Sequence, residues 1–153
     1  MQRTLVMKMK LIHQADGQRT FAVVLQTGDE AVSCMKAFAE RESLNAAQIT
    51  AIGALSDAIL GYFDWDRKEY QRIPVREQAE IASLIGDIVL AENDKPSLHV
   101  HVVLGRRDGT ALAGHLLEAH VRPSLEIMVN ESPAHLRKRY DPESGLALID
   151  TQL

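Results

Sequence analysis

The sequence predicts a single α+β (α/β) domain, in which a mostly antiparallel, mixed β-sheet carries one main amphipathic helix and short flanking helices. The chain has 153 residues, 46% of them hydrophobic, which is enough for one core and too few for two. Most apolar segments alternate with period two, as β-strands do, whereas one places its apolar residues at helical spacing. We therefore expect residues 1–153 to form one compact domain.

The N-terminal part of the chain is expected to form a β-hairpin. Residues 5–12 alternate between two faces, which suits a strand with one face more buried than the other. Asp16 and Gly17 then supply a turn signal, and residues 21–25 follow as the returning strand.

The main helix is expected directly after this hairpin. Thr27 and Glu30 fit a capping box, in which the Thr27 hydroxyl accepts from the N3 amide while Glu30 reaches back to the cap. The next apolar residues recur at helical spacing and should be buried: Ala31, Cys34, Met35 and Phe38. Cys34 is therefore expected to be a core residue, with a reactive thiol as the minor alternative.

Strands are expected to fill most of the remaining chain, at residues 49–62, 70–75, 80–90, 98–104, 110–117 and 121–129. Gly53 and Gly61 interrupt the first of these, which indicates bends or close backbone approaches, and the third alternates imperfectly around Gly86. A short helix is expected at residues 133–139. Many strands with few helices predict a largely antiparallel sheet.

Charge and cysteine content exclude several classes of function. The chain has 17 basic and 21 acidic residues, and the net charge of −4 disfavours a broad electrostatic grip on nucleic acid or an anionic membrane. The short basic run at 137–139 is expected to form a solvated face. Cys34 is the one cysteine, so no intrachain disulfide can form. No stretch approaches the roughly 18 to 20 apolar residues of a membrane span, and a cytoplasmic location is expected.

Three of the six histidines are expected to converge on one face of a hairpin. His99 and His101 stand at i and i+2 of a strand, so they project from the same face about 6 to 7 Å apart. A three-residue loop at 107–109 joins this strand to the next, and counting outward from the loop places His101 opposite His115. A slip of one residue in this register would send His115 to the other face.

The three residues His99, His101 and His115, here called the histidine cluster, have the chemistry of a metal site. Three neutral imidazoles with a fourth position open to water or a carboxylate are the ligand set of an open zinc site. Imidazole also suits nickel, copper, iron and cobalt, so the sequence does not decide the metal. The alternative is a polar, partly exposed sheet face that carries histidines without binding an ion.

The other histidines and a neighbouring glycine are weaker candidates. Gly114 would let another backbone or a ligand come close to the cluster, or mark a β-bulge. His120 can lie near the same hairpin, depending on where the strand ends. His13 and His135 are expected to be surface or capping residues.

Three glutamates are harder to place. In a regular strand Glu118 faces away from the histidine cluster, although a bulge would reverse that direction. Glu126 and Glu80 sit in apolar strand contexts, where an unpaired buried charge is costly. Each is therefore expected to pair with an arginine such as Arg122 or Arg19 rather than to act as a general base.

A further signal is a set of motifs spread over nearly the whole chain. They are Arg19-Thr-Phe, Thr27-Gly-Asp-Glu, Ile52-Gly-Ala-Leu, Gly61-Tyr-Phe-Asp, Glu80-Ile-Ala-Ser-Leu-Ile-Gly-Asp-Ile, Leu98-His-Val-His-Val-Val-Leu-Gly, Gly109, Gly114-His-Leu-Leu-Glu, Leu125-Glu-Ile and Tyr140-Asp-Pro-Glu-Ser-Gly-Leu. Together they resemble the PPC (plants and prokaryotes conserved) domain family, also called DUF296. The His-x-His followed by Gly-His is the most specific part.

This resemblance implies a compact α/β domain that assembles as a homotrimer, with a zinc site in bacterial and archaeal members. Carried over, the zinc ligands are His99, His101 and His115. Ala113 stands where the family often has the first glycine of Gly-Gly-His, which leaves the ligands in place. Plant members carry AT-hook segments that bind DNA, but no Arg-Gly-Arg-Pro core occurs in this sequence, so DNA binding does not transfer by name.

The leading hypothesis is a metal-binding, oligomeric domain of unassigned cellular role. A second hypothesis is a metal-dependent hydrolase or lyase that acts on a small molecule, with Glu118 moving protons. A third is a DNA-associated or regulatory protein, as the plant members of the family suggest.

Overall fold

Strands dominate the computed structural model, which describes residues 7–153; residues 5 and 6, where the first predicted strand begins, lie outside that range. The nine strands of the described part are β1 (Lys8–Ala15), β2 (Gln18–Gln26), β3 (Ala46–Asp64), β4 (Glu69–Val75), β5 (Ala79–Leu90), β6 (Pro96–Gly105), β7 (Ala111–Glu131), β8 (Arg137–Asp141) and β9 (Leu146–Asp150). The helix is α1 (Ala31–Arg41), and no helix in residues 7–153 is long and apolar enough to cross a membrane. The fold is therefore predominantly β, which corrects the α+β class and the short flanking helices expected from the sequence.

The nine strands join in one mixed sheet. Its main path runs β1-β2-β7-β3-β5-β8-β9, while β4 pairs with β3, and β6 pairs with both β5 and β7. These pairings are antiparallel except for the short parallel contact between β5 and β8. Strands β3, β5, β6 and β7 thereby form a closed circuit of neighbours. This closure brings the hairpin of β6 and β7 against β3.

The core lies between α1 and the sheet. The helix buries a stripe of apolar residues, and the Phe38 ring meets Phe21 of β2 edge to face at 5.3 Å. Cys34 lies in this stripe, and burial raises the pKa of its thiol to about 11. Cys34 is therefore a protonated core residue, as its helical spacing predicted.

The N-terminus of α1 is capped by a residue that the sequence motif did not indicate. Thr27 was expected to be the cap, but its hydroxyl donates to the Pro123 carbonyl instead. Glu30 is the N-cap, and its carboxylate accepts from the backbone amides of Val32, Ser33 and, across in β7, Ala119. Burial alone would raise the pKa of Glu30, but these hydrogen bonds outweigh it and lower the pKa. The capping-box prediction was wrong, because Thr27 bonds to Pro123 and Glu30 is itself the cap.

Replacing Glu30 by alanine is expected to destabilise the protein by about 2 kcal/mol, because three backbone amides lose their acceptor. Urea unfolding at neutral pH measures this change. Thr27→Ala is the matched control and should cost less than about 0.5 kcal/mol, since its hydroxyl makes only an exposed hydrogen bond. A larger loss of stability in Thr27→Ala than in Glu30→Ala would mean that Thr27 caps the helix, as the capping-box prediction had it.

Several strands differ in extent from those expected. The strands expected between residues 70 and 104 are present as β4, β5 and β6, and the opening hairpin is present as β1 and β2. The strand expected at 49–62 lies within the longer β3. The two strands expected at 110–117 and 121–129 form the continuous β7, because both halves pair with β3 across several register shifts.

The C-terminal segment forms a hairpin of β8 and β9 rather than the short helix expected at 133–139. Arg137 and Arg139 form ion pairs with acidic neighbours, whereas Lys138 is buried, with 7% of its surface exposed. Successive side chains of a strand point to opposite faces, so β8 turns Lys138 inward. The expectation that residues 137–139 form a solvated face was therefore wrong for Lys138.

Candidate metal centre

The hairpin that carries the three histidines has the predicted loop and register. The Arg106 amide donates to the Thr110 carbonyl at 2.8 Å, and Gly109 takes a positive φ of 82° in the connecting loop. This loop sets the ladder of β6 and β7 so that His101 lies opposite His115. Because the register is the one counted from the sequence, all three rings come together on one face.

The histidine cluster has the dimensions of a metal site. The Nε2 atoms of His99 and His101 are 3.1 Å apart, and one candidate ligand atom from each of the three residues lies within 4.8 Å of the others. In tetrahedral zinc sites with Zn–N bonds of about 2.0–2.1 Å, neighbouring nitrogens are about 3.3 Å apart. Small side-chain rotations close the remaining difference, so the three residues can hold a divalent ion.

His115 is a partly buried member of the cluster. Its ring contacts those of His99 and Tyr70, at centroid distances of 5.1 and 4.7 Å. Its Nδ1 atom is buried without a hydrogen-bond partner among residues 7–153. Burial, together with the neighbouring His99 and His101, lowers the pKa of His115 to about 4. His115 is therefore neutral at physiological pH, which is the state that a metal ligand requires.

Close backbone contact explains how β7 can bring His115 to this position. The residue before it is Gly114, and a Cβ atom there would lie 2.9 Å from the Gly61 carbonyl oxygen of β3. His115 itself is the cross-strand neighbour of both Gly61 and His101. The close approach expected at Gly114 is confirmed, and it lies where the closed circuit of strands is completed.

None of the three glutamates belongs to the group of side chains that could hold a metal. Glu118 follows a register shift in β7 and forms an ion pair with Arg72 at 3.8 Å, outside the histidine cluster. Glu126 and Glu80 are exposed, and neither forms an ion pair within residues 7–153. The expected pairing of these two with arginines was wrong, because both residues lie on the open side of their strands. Glu118, which the hydrolase hypothesis named as the proton carrier, is thus not part of the site.

Two residues near the cluster were not found from the sequence. Asp87 of β5 is the cross-strand neighbour of His99, and its Oδ2 atom lies 3.9 Å from His99 Nδ1. Tyr70 of β4 packs on the ring of His115. Once β5 is paired with β6, the register identifies Asp87, but no local motif specifies that pairing. Tyr70 reaches the cluster because β3 pairs with both β4 and β7.

His120 lies outside the cluster and has a different partner. Its Nδ1 atom is 2.7 Å from Asp57 Oδ1, and the Ser56 hydroxyl donates to the other oxygen of Asp57 at 2.7 Å. The hydrogen bond to Asp57 raises the pKa of His120. Its expected proximity to the hairpin therefore does not make it a fourth member. His13 and His135 are exposed, as predicted.

The pair of His120 and Asp57 should make stability fall as the pH rises through the pKa of His120. A raised pKa means that folding favours the charged imidazolium, so this contribution is complete below the unfolded value of about 6.5 and is lost above the folded value. Since both side chains are largely exposed, the loss should stay below about 1 kcal/mol. Urea unfolding of wild type and His120→Gln from about pH 6 to pH 9 measures it as the difference between the two curves. Parallel curves would contradict the prediction.

A family model identifies the chain. The model of the Plants and Prokaryotes Conserved (PCC) domain matches residues 12–133. The chain belongs to this family. The family name is also written as the PPC domain, and the resemblance that the sequence motifs indicated is confirmed. The hairpin of β8 and β9 lies beyond the residues that match the PCC domain.

Three solved structures match nearly the whole length of this chain. A proposed DNA-binding protein from Bacteroides thetaiotaomicron is 30% identical with a TM-score of 0.86, over 96% of this chain and 99% of the other. A metal-containing protein from Archaeoglobus fulgidus is 33% identical with a TM-score of 0.79, over 94% and 97%. A PPC protein from Pyrococcus horikoshii is 31% identical with a TM-score of 0.80, over 97% and 96%. Comparison with curated proteins gives no match.

Proposed function

We propose that this PCC-domain protein is a metal-binding, oligomeric module in which His99, His101 and His115 hold one divalent ion, with zinc as the expected metal. We also propose that its single domain takes in residues 1–153, because β8 pairs with β5, carries Lys138 inward and pairs in turn with β9. The cellular role stays unassigned, and the cytoplasmic location stays a prediction.

The observation that carries the metal proposal is the convergence of three imidazoles within 4.8 Å on one sheet face. Burial lowers the pKa of both His99 and His115, so both favour the neutral form that binds metals. The similar protein from Archaeoglobus fulgidus is named as metal-containing, which supports the same reading.

The cluster combines an exposed member with enclosed ones. A bound zinc ion supplies a Lewis acid that lowers the pKa of a coordinated water. The chain's own residues hold the ion and restrict access to it: His101 is exposed, while Tyr70 covers the ring of His115. An open side toward solvent at His101 is compatible with a small-molecule ligand there.

Elemental mass spectrometry on the gently purified protein, before and after addition of zinc, tests the proposal. We expect close to one ion per chain in the wild type and none in the variant with His99, His101 and His115 all replaced by alanine. Circular dichroism of the variant controls for its fold. A wild-type protein that is metal-free and does not take up zinc would overturn the proposal.

The homotrimer implied by the family resemblance is also proposed. It is supported by a groove on the sheet that exposes large apolar side chains, among them Ile52 and Ile85, which are 62% and 56% exposed, and Met128. Exposed apolar groups in one patch are typical of protein interfaces. Sedimentation velocity should give three chains per particle for the wild type and smaller particles for Ile85→Asp. Ile12→Asp, on the exposed strand β1, is the control and should stay trimeric.

Association with DNA is a second candidate, and it comes from the name of the Bacteroides thetaiotaomicron structure. The net charge of −4 disfavours it, because phosphate neutralisation supplies much of the affinity for DNA. A gel-shift titration at low salt decides the matter, since electrostatic binding is strongest there. Absence of any shift would remove this candidate and leave the metal proposal unaffected.

A further inference from the structure

A charged pair lies beside the histidine cluster, next to His99. The Asp87 Oδ2 atom is 3.9 Å from His99 Nδ1, across the pairing of β5 and β6. The other oxygen, Oδ1, is buried and lies 3.5 Å from the ammonium nitrogen of Lys138. This contact has no hydrogen-bond geometry, so within residues 7–153 the buried oxygen is balanced by charge alone.

The two nitrogens of His99 face different partners. Nδ1 lies 3.9 Å from the carboxylate of Asp87, while Nε2 lies 3.1 Å from His101 Nε2, inside the cluster. A histidine that binds a metal commonly donates its other ring N–H to a carboxylate, which fixes the tautomer and the ring orientation. A proton on Nδ1, the nitrogen nearer Asp87, would leave Nε2 of His99 free for the ion.

Lys138 offsets the energetic cost of the partly buried carboxylate of Asp87. A carboxylate that is partly withdrawn from water is costly unless a charge or hydrogen bonds compensate it. Lys138 supplies that charge from β8, which reaches β5 through the pairing of Leu90 with Arg137. The hairpin beyond the family match thus takes part in the surroundings of the cluster.

We propose that Asp87 is a positioning residue of the metal centre, which accepts the Nδ1 proton of His99 and so turns His99 Nε2 toward the ion, and that Lys138 balances its charge. A shift of about 1 Å brings Asp87 and His99 into hydrogen-bond range. This inference rests on the proposed metal-binding function. It adds two residues that act through His99 and do not themselves bind the ion.

Cobalt(II) and zinc titrations of wild type, Asp87→Ala and Asp87→Asn test the role of Asp87. Loss of such an outer-sphere partner typically weakens metal affinity about 10–100-fold, and we expect this loss in Asp87→Ala. Asp87→Asn keeps an acceptor for the Nδ1 proton and should recover part of the affinity and the wild-type cobalt absorption spectrum. Asp94→Ala, which removes the ion pair between the turn joining β5 to β6 and Arg137 of β8, is the control and should bind as the wild type does.

The outcomes separate this inference from the proposed function. A wild type that binds no metal overturns both. A wild type that binds metal, with unchanged affinity and cobalt spectrum in Asp87→Ala, overturns only the role of Asp87. Nitrogen NMR of zinc-loaded wild type gives a readout that needs no variant to fold: a proton on His99 Nδ1 is expected, and one on Nε2 overturns the inference.

Unfolding of the metal-free protein tests the part assigned to Lys138. Lys138→Met should lower the urea midpoint, because the Asp87 carboxylate loses its counter-charge. Adding Asp87→Asn to Lys138→Met should recover part of that loss, since the pair acts as a unit. Additive effects of the two changes would overturn the pairing of Lys138 with Asp87.

Discussion

His115→Ala is expected to lower the zinc affinity of the protein by more than about 100-fold, which exceeds the usual loss for an outer-sphere partner. His115 supplies the third imidazole of the cluster and is the member held by β7. Without it, His99 and His101 remain as a pair on one strand. Two ligands cannot complete the three-histidine set of an open zinc site.

Thermal and chelator-competition measurements check this expectation independently. A ligand that binds only the folded state stabilises it by about 2.7 kcal/mol when present at 100 times its dissociation constant. The wild type should show such a zinc-dependent rise in stability, whereas His115→Ala should show almost none at the same zinc concentration. His135→Ala, an exposed histidine outside the cluster, is the control and should keep the full response. Equal zinc stabilisation of His115→Ala and wild type would remove His115 from the site.

The histidine cluster could be predicted because its geometry depends on local sequence. A three-residue loop closing at Gly109 sets the register of β6 against β7, and the i, i+2 spacing sets the common face of His99 and His101. Both rules involve residues close in the chain. The same counting could not find Asp87 or Lys138, because they come from strands whose pairing depends on the whole sheet.

The wrong predictions from the sequence also arise from contacts between distant parts of the chain. Thr27 and Glu30 match a capping box, but the Ala119 amide of β7 is a hydrogen-bond donor that the local pattern does not contain. Glu80 and Glu126 have apolar sequence neighbours, yet both are exposed. Apolar side chains such as Ile85 occur on the open sheet face as well as in the core, so alternation alone does not distinguish the two faces.

Gly86→Ala is expected to destabilise the protein by about 3 kcal/mol, at the upper end of the usual cost of overpacking. A Cβ atom at this position would lie 2.2 Å from the His99 carbonyl oxygen and 2.8 Å from the Val100 Cα atom. These are backbone atoms of β6, which cannot move aside as a flexible side chain can. The interruption that Gly86 makes in the sequence pattern is therefore a close approach of β5 to β6.

The same substitution should weaken metal binding, because Gly86 pairs with Val100, the residue between His99 and His101. Forcing β5 away from β6 would shift both histidines and separate His99 from Asp87. Gly105→Ala is the matched control on β6, since its added Cβ atom would meet neighbours only at 3.9 Å, and it should change stability by less than about 0.5 kcal/mol. Urea unfolding and zinc titration of both variants measure the two effects. If Gly86→Ala were as stable as the wild type, β5 and β6 would not approach each other as closely as the distances at Gly86 indicate. If Gly86→Ala were destabilised but kept its zinc affinity, the cluster would hold its ion independently of β5.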